Sequence, residues 1–179
     1  MSKKVLVISS SFRKGGNSEM LADEFIRGAE ESGNIAEKVT LYDKTIGFCK
    51  GCLACQKTQK CVIRDDANEI ADKMLTADVI VFATPIYYYE MCGQLKTILD
   101  RANPLYSADY EFRHVYLLAV AADKEDSAID GAEKGISGWV SCFPKAKFAG
   151  KVFAGGVTAV GEIKNHAALQ KAYDMGKSV

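Results

Sequence analysis

Short apolar runs that alternate with amphipathic helical segments constrain the fold of this chain most strongly. Residues 5–8 and 78–83 are almost entirely apolar, as in strands that are buried on both faces of a parallel sheet. Further strands are predicted at 35–41, 115–121 and 151–154. Helices are predicted between the strands and after the last one, and the last two of them span 125–143 and 162–177. This alternation predicts a doubly wound α/β fold with a five-stranded parallel sheet, in the order 2-1-3-4-5, and helices on both faces.

Length and charge narrow the class of protein. With 179 residues, the chain is predicted to be a single domain, 1-179, with a Cys-rich insertion at about 43-65 that shows neither helical nor strand periodicity. The 23 basic and 23 acidic residues balance, which disfavours nucleic acid and membrane surfaces as partners. The N-terminal apolar run is too short for a signal peptide, so a cytoplasmic location with reduced thiols is expected.

Two unusual loops are predicted to meet at the switch in strand order. The loop after the first strand, 9–18, carries four serines, two glycines and Arg13 before a helix start, and it suits a phosphate group. The loop after the third strand, 84–89, is Thr-Pro-Ile-Tyr-Tyr-Tyr and suits a flat aromatic ligand. Side by side, the two loops describe a flavin mononucleotide (FMN) site. The alternatives are a plain polar turn and tyrosines that pack against a neighbouring helix or subunit.

Four of the six cysteines lie close together with the spacing C-x2-C-x2-C-x5-C, at Cys49, Cys52, Cys55 and Cys61. Four thiolates can ligate a 4Fe–4S cluster, hold a zinc ion or remain free structural thiols. Three cysteines at three-residue steps favour the cluster over zinc, which usually takes two separated CxxC pairs. Cys92 and Cys142 stand alone and are expected to be packing residues. Asp100 and Arg101, at a helix end, are expected to form a local ion pair.

Three stretches together resemble the NAD(P)H-dependent FMN reductase superfamily, and within it the iron–sulfur flavoproteins. They are Ser-Ser-Phe-Arg-Lys-Gly-Gly-Asn-Ser at 10–18, the cysteine stretch, and Thr-Pro-Ile-Tyr at 84–87 followed by Gly-Gln-Leu-Lys-Thr-Ile-Leu-Asp-Arg at 93–101. The resemblance covers nearly the whole chain. It implies a flavodoxin-like fold, bound FMN and a homodimer or homotetramer. One departure is Phe12, where relatives usually have proline, so that an aromatic side chain is gained.

The resemblance also implies roles for particular residues. The FMN phosphate would be held by Ser11, Arg13, Asn17 and Ser18. The isoalloxazine ring would be lined by Pro85, Ile86, Tyr87 and Tyr88. Ser9 and Thr84, at the starts of the two loops, complete the predicted cofactor-binding set. The ligands of a 4Fe–4S cluster would be Cys49, Cys52, Cys55 and Cys61.

The predicted function is that of an FMN-dependent oxidoreductase that moves electrons from NAD(P)H or ferredoxin to a quinone or other small acceptor. No side chain is predicted to be catalytic, because the flavin itself carries the chemistry. The alternatives are a cluster-free NAD(P)H:quinone or flavin reductase, a non-catalytic flavodoxin-like electron carrier and a zinc-stabilised binding module. The balanced charge argues against the carrier, since an acidic excess would steer docking to basic partners.

Overall fold

The computed structural model describes residues 2–179. Its β-strands are β1 (Lys4–Ser9), β2 (Ile35–Thr40), β3 (Val79–Tyr87), β4 (Glu90–Met91), β5 (His114–Val120) and β6 (Lys147–Ala154). Its α-helices are α1 (Asn17–Glu31), α2 (Ala54–Thr58), α3 (Asp66–Thr76), α4 (Gly93–Arg101), α5 (Asp130–Val140) and α6 (Ala168–Lys177). Short 3₁₀ turns span Asn103–Ser107, Asp126–Ile129 and Glu162–Asn165. None of the helices in this part of the chain combines the length and apolarity of a membrane span.

The sheet is parallel apart from one short strand. Five strands pair in parallel in the order β2-β1-β3-β5-β6, and β4 pairs antiparallel with the end of β3. The predicted α/β fold with a parallel sheet is therefore confirmed. The predicted five-stranded sheet in the order 2-1-3-4-5 needs a correction, because it lacks the hairpin strand β4. The two residues of β4 are too few to show strand periodicity in the sequence.

Helices cover both faces of the sheet, which explains the continuous apolar runs. In β1, Leu6 and Ile8 are buried in the core beneath α3, α4 and α5, whereas Val5 and Val7 are buried beneath α1 and α6. Successive side chains of a strand point to opposite faces. A strand covered on both faces therefore needs apolar residues at every position rather than at alternate ones.

Glycine is required where α1 packs against α6. A Cβ added at Gly28 would stand 2.0 Å from the carbonyl oxygen of Tyr173, and one added at Gly176 would stand 2.0 Å from that of Phe25. Both distances are far shorter than van der Waals contact. The backbones of the two helices therefore approach each other directly on this face of the sheet.

Two predicted helices, 125–143 and 162–177, are shorter than the sequence pattern indicated. Each begins as a 3₁₀ turn that precedes the α-helix proper, which is α5 in the first case and α6 in the second. In the second case the backbone of His166 is extended, which interrupts the helix. Its Nδ1 accepts a hydrogen bond from the Ala168 N–H at 3.1 Å, so His166 is placed at the start of α6 as a structural residue.

Candidate functional site

A cavity of about 150 Å³ lies at the carboxyl edge of the sheet, where β1 and β3 end. The predicted cofactor-binding residues that line it are Ser11, Arg13, Asn17, Ser18, Pro85, Ile86 and Tyr87. The fold thus brings seven of the ten predicted residues around one space, the other three being Ser9, Thr84 and Tyr88. The cavity is smaller than a typical ligand pocket of about 300–1,000 Å³. A ligand of the size of FMN must therefore extend beyond it.

Gly16 shapes the start of α1 for a ligand. A Cβ at this position would stand 2.8 Å from the Arg13 carbonyl oxygen and 3.1 Å from Ser11 Oγ, so the tight turn requires glycine. The first N–H groups of a helix have no acceptor within the helix. Gly16 is the N-cap residue of α1, and no side-chain cap occupies these N–H groups. This arrangement fits an anionic group such as a phosphate.

Arg13 and Asn17 hold the loop that follows β6 against the cavity. Arg13 Nη1 donates a hydrogen bond to the Thr158 carbonyl oxygen at 2.7 Å, and Asn17 Nδ2 donates one to the Ala159 carbonyl oxygen at 2.9 Å. Thr158 and Val160 of this loop form part of the cavity wall. The guanidinium of an arginine carries five N–H donors, so the bond from Arg13 to Thr158 leaves other donors for a phosphate.

The predicted aromatic loop forms a tight hairpin. Tyr88 and Tyr89 both have a positive φ, 50° and 65°, as expected for the two central residues of a type I′ turn between β3 and β4. Tyr87 lines the cavity and is half exposed, whereas Tyr88 is fully exposed and lies outside it. The Tyr89 hydroxyl donates a hydrogen bond to Asp123 Oδ2 at 3.1 Å, and this bond raises the pKa of Tyr89. The hairpin is thereby tied to the loop after β5.

Ser9 and Thr84 lie beneath the cavity rather than on its wall. Both belong to strands and are almost fully buried. The Thr84 hydroxyl accepts a hydrogen bond from the Cys92 N–H at 3.2 Å, and Cys92 Sγ lies 3.2 Å from Ser10 Oγ. Cys92 therefore packs below the site, as expected. A contact of Ser9, Thr84 or the exposed Tyr88 with a cofactor stays a prediction.

The part of the cavity wall that lies at the end of β5 and after β6 was not predicted from the sequence. These residues are Val120, Ala121, Ala122, Val157, Thr158 and Val160. They are small or apolar and carry no chemical signal of their own. Only their position could have identified them, because the parallel strands of such a sheet all end at the ligand-binding edge.

The four predicted metal-binding cysteines line a second cavity, of about 480 Å³. Cys49 and Cys52 are exposed, Cys61 is half-buried and Cys55 is buried. In the described part of the chain, no three His, Cys, Asp or Glu side chains form a group that could hold a metal ion. Cys142, which we expected to be a packing residue, is exposed and lines the same cavity. Metal ligation by the four cysteines stays a prediction.

Hydrogen-bond donors point at two of the four sulfurs. Asn103 Nδ2 donates to Cys55 Sγ at 3.0 Å, and the Gly51 N–H donates to Cys49 Sγ at 3.4 Å. N–H donors of this kind orient metal-bound thiolates and set the potential of iron–sulfur clusters. A four-iron cluster binds each of its cysteines through a different iron atom, so it needs thiols around a cavity rather than around one point. The donor set and the cavity fit such a cluster.

Arg101 connects α4 to both flanks of the cysteine loop, which is the segment between β2 and α3 that contains the four cysteines. Its side chain is fully buried and donates to both carboxylate oxygens of Asp65, at 2.6 and 2.7 Å, and to the Gly47 carbonyl oxygen at 2.7 Å. The predicted local pair of Asp100 with Arg101 is therefore wrong. Asp100 pairs with Lys96 on the exposed side of α4 instead.

The buried ion pair keeps Asp65 charged. Burial by itself would raise the pKa of Asp65, but hydrogen bonds from Arg101 and from the Gly47 N–H outweigh burial and hold this pKa below its ordinary value. The Asp65 carboxylate in turn raises the pKa of Arg101, and the nearby Cys61 adds to the effect. Among residues 2–179, Arg101 Nε is a buried side-chain donor without a hydrogen-bond partner.

A third cavity, of about 450 Å³, adjoins the first one through Tyr87, which lines both. Phe12 and Phe48 stand around it with more than half of their surface exposed. Its polar wall residues include Lys44 and Gln94. Phe12, the residue that departs from the usual proline, thus lines a space beside the first cavity rather than the first cavity itself.

Comparison with known proteins establishes the family. The model of a family described as NADPH-dependent FMN reductase matches residues 3–134, which is most of the chain. This chain therefore belongs to the NADPH-dependent FMN reductase family, a family of FMN-dependent oxidoreductases. The resemblance inferred from the three sequence stretches is confirmed.

Curated relatives include several iron–sulfur flavoproteins. One from Methanocaldococcus jannaschii is 40% identical over 102 residues, which are 57% of this chain and 53% of the relative. Another, from Archaeoglobus fulgidus, is 37% identical over 101 residues, which are 56% of this chain and 46% of the relative. The chain thus spans about half the length of the curated relatives that it matches.

Solved structures share the fold over nearly the full length of the chain. An NAD(P)H:quinone oxidoreductase from Methanothermobacter marburgensis superposes with a TM-score of 0.80 at 16% identity, covering 99% of this chain and 96% of its own. An azoreductase from Bacillus anthracis superposes with a TM-score of 0.73 at 16% identity, with 100% of both chains covered. At these identities the likeness establishes the flavodoxin-like fold alone.

Proposed function

We propose that this chain takes electrons from NAD(P)H or ferredoxin and passes them to a quinone or other small acceptor, with FMN as its cofactor. The observation that carries the proposal is the convergence of seven predicted cofactor-binding residues around one cavity at the carboxyl edge of the sheet. Family membership supports it. When bound, FMN supplies the hydride and one-electron chemistry.

The residues around the first cavity have distinct tasks in this proposal. The N–H groups at the start of α1 and the Arg13 guanidinium bind the phosphate. Pro85, Ile86 and Tyr87 contact the ring and restrict its orientation. The type I′ hairpin between β3 and β4 keeps Tyr87 in place, and the bond from Tyr89 to Asp123 braces that hairpin.

We further propose that the four cysteines of the loop between β2 and α3 ligate a 4Fe–4S cluster. Their spacing, their common cavity and the N–H donors at Cys49 and Cys55 support this proposal. The names of the relatives, iron–sulfur flavoproteins, are consistent with it. When bound, the cluster supplies one-electron transfer.

The third cavity is the place that we propose for the small acceptor. It shares Tyr87 with the proposed flavin site, and the aromatic rings of Phe12 and Phe48 offer apolar faces to a flat molecule. Lys44 lies on its wall, and its ammonium group, which is 3.7 Å from Asp43 Oδ1, can attract an acceptor oxygen that becomes more negative on reduction. An apolar quinone fits these features.

Three further proposals concern the whole protein. We propose that residues 1–179 form one FMN-binding domain, in which the cysteine loop is an insertion. We propose a homodimer or homotetramer, as the family resemblance implies. We propose a cytoplasmic setting, because a reducing compartment keeps the cysteines available as ligands.

Anaerobic purification followed by spectroscopy tests the proposed function. We expect flavin absorbance bands, a broad cluster band, a released cofactor with the mass of FMN, and steady NAD(P)H oxidation when a quinone is present. Release of FAD would contradict the assignment of the cofactor. Flavin without iron after anaerobic reconstitution would favour the cluster-free reductase, and flavin without steady turnover from any tested donor would favour the electron carrier.

A further inference from the structure

The segment that ends α4 and forms the following turn, 101–107, contacts the cysteine loop at several points. Arg101 holds the flanks of the loop, as described above. Ser107 Oγ donates a hydrogen bond to the Gln56 carbonyl oxygen at 3.0 Å, and Gln59 Nε2 donates one to the Ser107 carbonyl oxygen at 3.1 Å. The short helix α2, which contains Cys55, is thereby fastened to this segment.

Asn103 lies between these two attachments and contacts a sulfur directly. Its Nδ2 is 3.0 Å from Sγ of Cys55, which is the buried one of the four cysteines. The half-buried Asn103 is followed by Pro104 and Leu105, which are buried in the core. These buried neighbours fix the backbone that carries the amide. The amide donates to the least exposed of the four cysteines.

We propose that Asn103 is a positioning residue for the iron–sulfur centre, fixing Cys55 as a ligand and raising the reduction potential of the cluster through its hydrogen bond to the sulfur. The inference rests on the proposed cluster. An N–H donor stabilises negative charge on a thiolate sulfur, and this charge grows when a cluster gains an electron. The bond therefore favours the reduced form over the oxidised form.

Burial strengthens this effect at Cys55. A hydrogen bond to a charged group is stronger where water cannot compete for the same acceptor. Cys55 is buried, whereas Cys49, whose sulfur accepts from the Gly51 N–H, is exposed. Of the two donors, the side-chain amide of Asn103 is thus expected to influence the potential of the cluster more. It can also be removed by substitution, whereas the Gly51 N–H belongs to the backbone.

The test uses two substitutions that remove the donor at nearly constant size, Asn103→Leu and Asn103→Asp. The matched control is Ser107→Ala, which removes a bond between the same two segments but no bond to sulfur. Each protein is reconstituted anaerobically, its iron and sulfide are counted, its FMN affinity is measured as a check of folding, and the midpoint potential of the cluster is followed by electron paramagnetic resonance.

We expect both Asn103 variants to have a lower cluster potential than wild type, or to lose the cluster while FMN affinity is retained, and Ser107→Ala to match wild type in both respects. A full cluster at the wild-type potential in Asn103→Leu and Asn103→Asp would overturn the role of Asn103 and leave the proposed function intact. The absence of iron from reconstituted wild type would instead overturn the cluster proposal, and this inference with it.

Discussion

At the scale of single residues, we expect Arg101 to contribute more to the stability of the fold than the exposed charged residues of α4. Its buried guanidinium binds Asp65 through two hydrogen bonds, whereas Lys96 on the same helix forms an exposed pair with Asp100. Removal of one partner from a buried ion pair leaves an uncompensated charge in the interior. Exposed pairs contribute little, because water screens both charges.

We expect Arg101→Met to lower the free energy of unfolding by about 3–5 kcal/mol, since Asp65 would lose its buried partner. The matched control is Lys96→Met on the exposed side of α4, which should cost at most about 1 kcal/mol. Urea denaturation of both variants with unchanged cofactor loading measures the two values. Equal losses in the two variants would show that the buried pair has no special weight.

The same pair predicts a dependence of stability on pH. The pKa of folded Asp65 lies below its ordinary value of 3.8, so the unfolded chain takes up a proton at this carboxyl before the folded chain does. The stabilisation is complete above the ordinary pKa and is lost as the pH falls through the folded-state pKa. We expect the unfolding free energy of wild type to decrease below about pH 4 more steeply than that of Asp65→Asn. Parallel denaturation curves for the two proteins across this range would refute the prediction.

At the scale of elements, the sequence predicted the strands and helices that are long enough to show a pattern of apolar residues. The strands buried on both faces were recognisable, because every residue of such a strand must be apolar. The two-residue β4 and the five-residue α2 are too short to show a period. The Arg101–Asp65 pair joins residues that are far apart in the chain. Neighbouring positions in the sequence suggest only Asp100 as a partner of Arg101. Contacts of this kind follow from tertiary packing, which no local pattern encodes.

The contact between α1 and α6 gives a prediction at this scale. We expect Gly28→Ala to destabilise the fold by about 1–3 kcal/mol or more, because its Cβ would meet the Tyr173 carbonyl oxygen at 2.0 Å and force the helices apart. Gly138→Ala in α5 is the matched control, since a Cβ there meets no atom within 4 Å. That substitution should stabilise the protein by about 0.5–1 kcal/mol through helix propensity. Thermal unfolding of both variants measures the difference, and a neutral Gly28→Ala would contradict the close packing.

At the scale of the whole molecule, the fold separates the two proposed cofactor sites. The first cavity is built from the ends of β1, β3 and β5 and from the loop after β6. The second is built from the cysteine loop and the ends of α4 and α5. The two sets of lining residues have no member in common. Loss of one cofactor is therefore expected to leave the binding of the other intact.

A pair of variants tests this independence in both directions. We expect Arg13→Ala to weaken FMN binding by about 1.5–3 kcal/mol, the range for a hydrogen bond to a charged group, while iron and sulfide stay at wild-type levels. Lys14→Ala, which changes the charge beside Arg13 but not a residue of the cavity wall, is its control. Cys52→Ala should lose the cluster and keep the FMN affinity of wild type. Titration of flavin-free protein with FMN and iron analysis of the same samples give both quantities, and a Cys52→Ala protein that loses FMN together with its iron would show that the cysteine loop also shapes the flavin site.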